Sequence, residues 1–95
     1  MDLKKLVSSS CRQKILKTLS KSEGINIMGL VRKINSTYNE TNRNLKILES
    51  EGIVLNVYFG RIRMIRLNRE NPRTIVMLQV LKTLESQSNT QYFNS

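Results

Sequence analysis

Residues 36–52 read STYNETNRNLKILESEG, and they decide the fold. The second half is an amphipathic helix, with Leu45 and Leu48 spaced for a core. The first half carries Asn39, Asn42, Asn44 and Arg43, although asparagine is a mediocre helix former. Thr37-Tyr38-Asn39-Glu40 fits a capping box, in which Thr37 caps the helix and Glu40 reaches back to it. Gly52 sits where a C-terminal stop belongs. The spacing therefore predicts a helix over 37–51 whose front carries more hydrogen-bonding side chains than the helix needs.

Upstream, IMGLVRKI repeats Ile27, Leu30, Val31 and Ile34 at i, i+3, i+4 and i+7, the buried face of a short helix that Asn26 can cap. Asn35-Ser36-Thr37 breaks it, so two short helices follow one another as a helix-turn-helix. Residues 3–20 read as an earlier helix in one or two pieces. Leu3, Leu6 and Val7 form a first apolar patch, Ser8 to Ser10 offer caps, and Cys11, Ile15, Leu16 and Leu19 continue the stripe. Gly24 is the expected stop, and Ile25 looks isolated.

Downstream the period changes from helical to alternating. IVLNVYFGRIRMIRL, 53–67, predicts a β-hairpin with its tip at Tyr58 to Arg61. Phe59 suits a positive φ poorly, which favours a type I turn with Gly60 in a bulge over a type I′ loop. The parity of the second strand leaves two options, partial cover on both faces or a bulge that switches them. After the connector NRENP, Pro72 suits a helix start. RTIVMLQVLKTLES, 73–86, is apolar around much of its circumference, which implies a second buried face.

Ninety-five residues allow one modest core, and a chain this short often gains stability by oligomerising. The formal charge is +9, from 16 Lys and Arg against 7 Asp and Glu. That balance suits a polyanion partner. No apolar run is long enough to span a membrane, and MDLKKLVSSSCRQ lacks the apolar core of a signal peptide. Both point to an intracellular, cytoplasmic protein. Cys11 stands alone and reads as a small buried residue. Histidine is absent, there is no Gly-rich phosphate loop, and the acids form no evident pair, so the reading is no enzyme, no cofactor and no metal.

CRQKILKTL, LVRKINSTYNETNRNLKILESEGIV and GRIRMIRL, taken in this order over residues 9–68, resemble the winged helix-turn-helix transcriptional regulators of the ArsR and MarR type. The resemblance implies an α+β, mostly α fold: a three-helix core with the helix-turn-helix, a β-hairpin wing, and a C-terminal helix for dimerisation. The expected organisation is a DNA-binding domain over 1–71, a dimerisation helix over 72–86 and a flexible tail over 87–95.

The resemblance also places helix 37–51 in the major groove of duplex DNA and wing 58–66 on the backbone or minor groove. Asparagine pairs bidentately with adenine and arginine with guanine, so Asn39, Asn42 and Arg43 are the candidates for base contacts. Thr37, Tyr38, Lys46, Arg32, Lys33, Arg12 and Lys14 are candidates for the DNA backbone. Arg61, Arg63 and Arg66 are the wing candidates, since arginine suits a narrow minor groove. Asn44, well around the helix from Arg43, reads as solvated. Ile75, Leu78, Leu81 and Leu84 are the expected dimer contacts, with Leu3, Leu6 and Val7 in the same interface.

Two departures from the family bear on its ligands. ArsR-type metal sensors carry a cysteine pair on the helix before the recognition helix, and INIMGLVRKI holds no such ligand. MarR-type proteins shape an effector pocket with long flanking helices, for which this chain has less material, so an effector stays unknown. The expected partners are duplex DNA and a second copy. An architectural protein with little base preference, or a module for RNA or protein, fits the same charge; exposed aromatic platforms for single strands are sparse.

Overall fold

The computed structural model describes residues 2–94, and side chains from Asp2 to Ser86; the expected tail at 87–95 lies outside the residues whose side chains are described. The order is α1 (Leu3–Leu6), α2 (Ser10–Ser20), β1 (Ile25–Asn26), α3 (Ile27–Ile34), α4 (Tyr38–Ser50), β2 (Val54–Phe59), β3 (Ile62–Leu67) and α5 (Pro72–Asn94). This is the α+β, mostly helical architecture that the sequence predicts.

Local chemistry sets most of the boundaries. The first helical region is two pieces because Ser9 leaves helical geometry to cap α2, accepting from the Arg12 N–H. Helix α2 ends at Ser20, earlier than Gly24. Gly24 instead closes a small turn in which its N–H donates to the Ser22 hydroxyl and its carbonyl accepts from it. Asn26 caps α3 through the Gly29 N–H, 2.8 Å away. Asn35 ends α3 in the left-handed conformation, φ 53°, which asparagine tolerates better than most residues.

Helix α4 is closed at both ends. Thr37 Oγ1 accepts from the Glu40 N–H at 3.1 Å. The Glu40 carboxylate, expected to reach back to the Thr37 N–H, accepts instead from the Ser36 hydroxyl at 3.2 Å. Gly52 sits at φ +74°; its N–H donates to the Glu49 carbonyl, and the Ile53 N–H donates to that of Leu48. This is a Schellman closure, with Ile53 and Leu48 both fully buried against the core.

The sheet has three antiparallel strands in the order β1-β3-β2. Strand β1, which pairs Ile25 with Ile65 and Asn26 with Met64, is a two-residue strand that no alternation reveals. The hairpin turn differs from expectation. Phe59 pairs with Ile62, so the loop is Gly60-Arg61 alone, and only Gly60 takes a positive φ, +62°. That is the type II′ pattern with glycine first, and Phe59 lies outside the loop. The two-residue turn settles the parity without a bulge. Val54, Asn56, Tyr58, Arg63, Ile65 and Leu67 share the inner face; Leu55, Val57, Phe59, Ile62, Met64 and Arg66 share the outer one.

One core joins all the elements. Leu6, Val7, Cys11, Ile15, Leu16, Leu19, Leu30, Ile34, Leu45, Leu48, Ile53, Val54, Ile65, Leu67, Met77 and Leu81 form a continuous buried cluster. Leu6 and Val7 belong to this cluster, so those two pack within the chain and not in a subunit interface, while Leu3 is half-buried against the cluster. Burial pushes the Cys11 thiol up from its ordinary value, as expected for a packed cysteine. Helix α5 buries Thr74, Met77 and Leu81 and half-buries Leu78, whereas Ile75 is 50% exposed, Val76 42% and Leu84 39%. Among the described residues no helix is long and apolar enough to cross a membrane.

Candidate nucleic-acid interface

The second helix of the pair presents its polar front outward because its other side is committed. Thr41, Asn44, Leu45 and Leu48 are buried, which fixes the helix phase. At about 100° per residue, Asn39, Asn42, Arg43 and Lys46 then fall within one quadrant or so of the circumference. Asn39, Arg43 and Lys46 are exposed and Asn42 is half-buried. Thr37 and Tyr38 are exposed at the helix start, where N–H groups and the helix dipole favour an anion.

Further cations lie exposed on the neighbouring elements: Lys14 lines a cleft with Thr37 and Glu40, whereas Lys33 lines one with Lys17, Lys21 and Ile25. Arg32 and Lys33 lie exposed in the last turn of α3, and Lys14 is exposed on α2. Arg61 is exposed at the hairpin turn. Tyr58, directly opposite Arg63 in the register, adds an exposed phenol on the inner face. The sequence places Tyr58 at the hairpin tip; the two-residue turn instead puts it inside β2, opposite Arg63.

Two of the expected contacts have other partners, and a third faces elsewhere. Arg12 is half-buried: its Nε donates to the Leu6 carbonyl at 2.8 Å, and its terminal nitrogens reach Asn44 Oδ1 at 2.8 Å and the Lys5 carbonyl at 3.1 Å. It thereby caps the last carbonyls of α1 and ties that helix to α4. Its partner Asn44 corrects the solvated reading. Asn44 is buried, and its amide NH2 donates to the Glu40 carbonyl at 2.9 Å. The side chain is polar because it completes a buried network, not because it meets water.

Arg63 is half-buried, with Nε on Asn56 Oδ1 at 2.7 Å and a terminal nitrogen on Asn42 Oδ1 at 3.2 Å. The hairpin is thus bonded to the front of α4. Arg66 leaves the opposite face of the hairpin and lines a cleft with Ser22, Glu23, Leu55 and Glu70. Among the described residues, no group of three or more His, Cys, Asp and Glu side chains gathers as a metal site would need.

No family model and no curated protein sequence matches the chain. Solved structures do. The antimony-specific transcriptional repressor AntR superposes with a TM-score of 0.76 at 19% identity, covering 93% of this chain and 78% of its own. A MarR-family transcriptional regulator from Silicibacter pomeroyi gives 0.80 at 21% identity, over 96% of this chain and 61% of its own. A homodimeric winged helix-turn-helix DNA-binding domain from Mycobacterium bovis gives 0.72 at 15% identity, over 98% and 81%. The chain has the winged-helix fold. In its terms α3 and α4 are the helix-turn-helix, and β2 and β3 are the wing.

Proposed function

We propose that the chain is a sequence-specific duplex-DNA-binding transcription regulator that acts as a homodimer, without enzymatic activity, in the cytoplasm and on the nucleoid. The observation that carries this reading is the front of α4. Four side chains suited to base edges and phosphates share one sector of a helix capped at both ends, in a chain of net charge +9. The solved structures of like fold are described as transcriptional repressors or regulators, and one as a homodimeric DNA-binding domain. The recognition helix enters the major groove, with Asn39, Asn42 and Arg43 toward base edges and Lys46, Tyr38 and Thr37 toward phosphates. Arg32, Lys33 and Lys14 add flanking phosphate contacts. Arg61 follows the minor groove from the wing tip.

The outward apolar side chains of α5 serve the dimer. Val76, half-buried Val80 and Leu84 recur at i, i+4 and i+8 and form a stripe beside the face that packs on the chain's own core, with Ile75 on its other flank. Leu81 and Leu78, expected in the interface from the sequence, support the core side of the same helix. Two recognition helices would then sit about 34 Å apart on a pseudo-palindrome.

Selection from a random duplex pool, followed by salt titration of the winner against an unselected duplex, tests the reading. A pseudo-palindrome bound far more tightly than bulk DNA is the expected result. No enrichment, with equal and steep salt slopes on both duplexes, would make the protein architectural; no binding at low salt would discard DNA.

A further inference from the structure

From the contact between the wing and the recognition helix we infer that Arg63 is a positioning residue that sets Asn42 to read guanine and not adenine. The inference rests on the DNA-binding reading above and deepens it.

Arg63 carries donors only, so the atom of Asn42 that faces it is the amide oxygen. That oxygen accepts from the Arg63 guanidinium at 3.2 Å, and the Arg63 Nε is itself anchored on Asn56 Oδ1 at 2.7 Å. The guanidinium is thus held by the wing strand beside it, and its plane in turn holds the Asn42 amide. Asn42 is half-buried, on the same sector of α4 as exposed Asn39, Arg43 and Lys46.

Bidentate pairing with adenine requires both ends of the amide at the base edge: the oxygen accepting from N6 and the NH2 donating to N7. Here the oxygen is turned to the wing, and a charge-assisted bond polarises it. The cation weakens it as an acceptor for a second partner and strengthens the NH2 as a donor. A side chain presented as a donor, with a positive charge behind it, matches an edge that offers acceptors only. Guanine offers two adjacent acceptors there, N7 and O6, whereas adenine places a donor beside its single acceptor. Freed of Arg63, the same amide can turn its oxygen to the base and take adenine.

The test is the same duplex selection, run on the full chain as wild type, Asn42→Ala, Arg63→Met and Asn56→Ala, each checked for cooperative melting. Asn42→Ala should flatten the preference at one position of each half-site, which marks the step Asn42 reads. Wild type should prefer guanine at that step, and Arg63→Met should shift the guanine-to-adenine ratio by about tenfold toward adenine. Asn56→Ala, which removes the anchor of the Arg63 Nε but keeps the guanidinium, should weaken the guanine preference by less than Arg63→Met does. Should Arg63→Met not fold, Arg63→Lys serves: it keeps stem and charge but offers one point donor, and a smaller shift in the same direction is expected. An adenine preference in wild type, or an unchanged preference in the folded Arg63 variant, overturns the inference while the DNA reading stands. A wild type that enriches no sequence overturns both.

Discussion

Arg12 on α2 donates to Asn44 Oδ1 on α4 across 2.8 Å, and that bond closes a buried network between two helices and the end of a third. Asn44→Ala strands an arginine donor that is half-buried, and Arg12→Met strands the Asn44 carbonyl. Either variant should lose about 1–3 kcal/mol in urea denaturation, the usual penalty for a buried group left unsatisfied. The double variant should lose less than the two single losses added together. Strict additivity would show that the bond contributes nothing beyond the separate side chains.

The Schellman closure of α4 gives a second test. At Gly52, φ is +74° and an added Cβ would lie 3.0 Å from Asn71 Nδ2. That amide is committed to the Gly52 carbonyl at 2.9 Å. Gly52→Ala therefore meets both backbone strain and a tethered neighbour, and should cost at least about 1 kcal/mol. Gly24→Ala, where the nearest atom is Met64 Cε at 3.7 Å, should cost far less. Equal melting temperatures for the two variants would refute the account of the closure.

Much of this is written in local sequence, and the exceptions share a cause. Thr37, Asn26 and Gly52 act on residues within a few positions of themselves, so caps and stops are readable from spacing. The α4 phase follows likewise from Leu45 and Leu48. Asn44 looked like a surface residue because its partner, Arg12, is 32 positions away. Arg63 looked like one more wing cation because its two asparagine partners are fixed only by tertiary packing and by a two-residue turn. Strand β1 is not legible in the sequence because two residues carry no period. In α5 the apolar side chains were plain, but their division between the chain's own core and an outer stripe was not. That division depends on where α5 packs against α2.

Base reading and phosphate contact should separate in the proposed DNA interface. Arg43→Ala should relax preference at one position of the selected site and cost about 1–3 kcal/mol there, with little change on unselected duplex. Arg61→Ala should weaken binding to all duplexes and reduce the salt slope by about 0.9 for each phosphate that Arg61 neutralises. Equal losses on every duplex for both variants would refute this division of roles.

Acid should loosen the junction between α4 and α5. The Arg73 guanidinium, 2.8 Å from the Glu51 carboxylate, holds that carboxyl below its ordinary range. A depressed folded value means that the unfolded chain takes up the proton first as pH falls. The contribution is therefore complete above the ordinary carboxylate range and disappears as pH drops through the folded value. Thermal melts of wild type and Glu51→Gln across a pH series should show a gap at neutral pH that narrows in acid. A gap of constant size would place the origin of the difference elsewhere.

The outer stripe of α5 gives the last test. Val76 is 42% exposed and Leu84 39%, so a charge at either site should leave the chain's own core in place. In sedimentation equilibrium wild type should behave as a dimer, and Val76→Asp with Leu84→Asp as a monomer. Wild-type melting should rise with protein concentration, as mass action requires of a dimer, and the double variant should lose that dependence. Affinity for a single half-site should survive in the variant, while the advantage of the full palindrome falls, because two recognition helices no longer arrive together. A double variant that remains dimeric would move the interface off this stripe, and the spacing of about 34 Å between recognition helices would need another support.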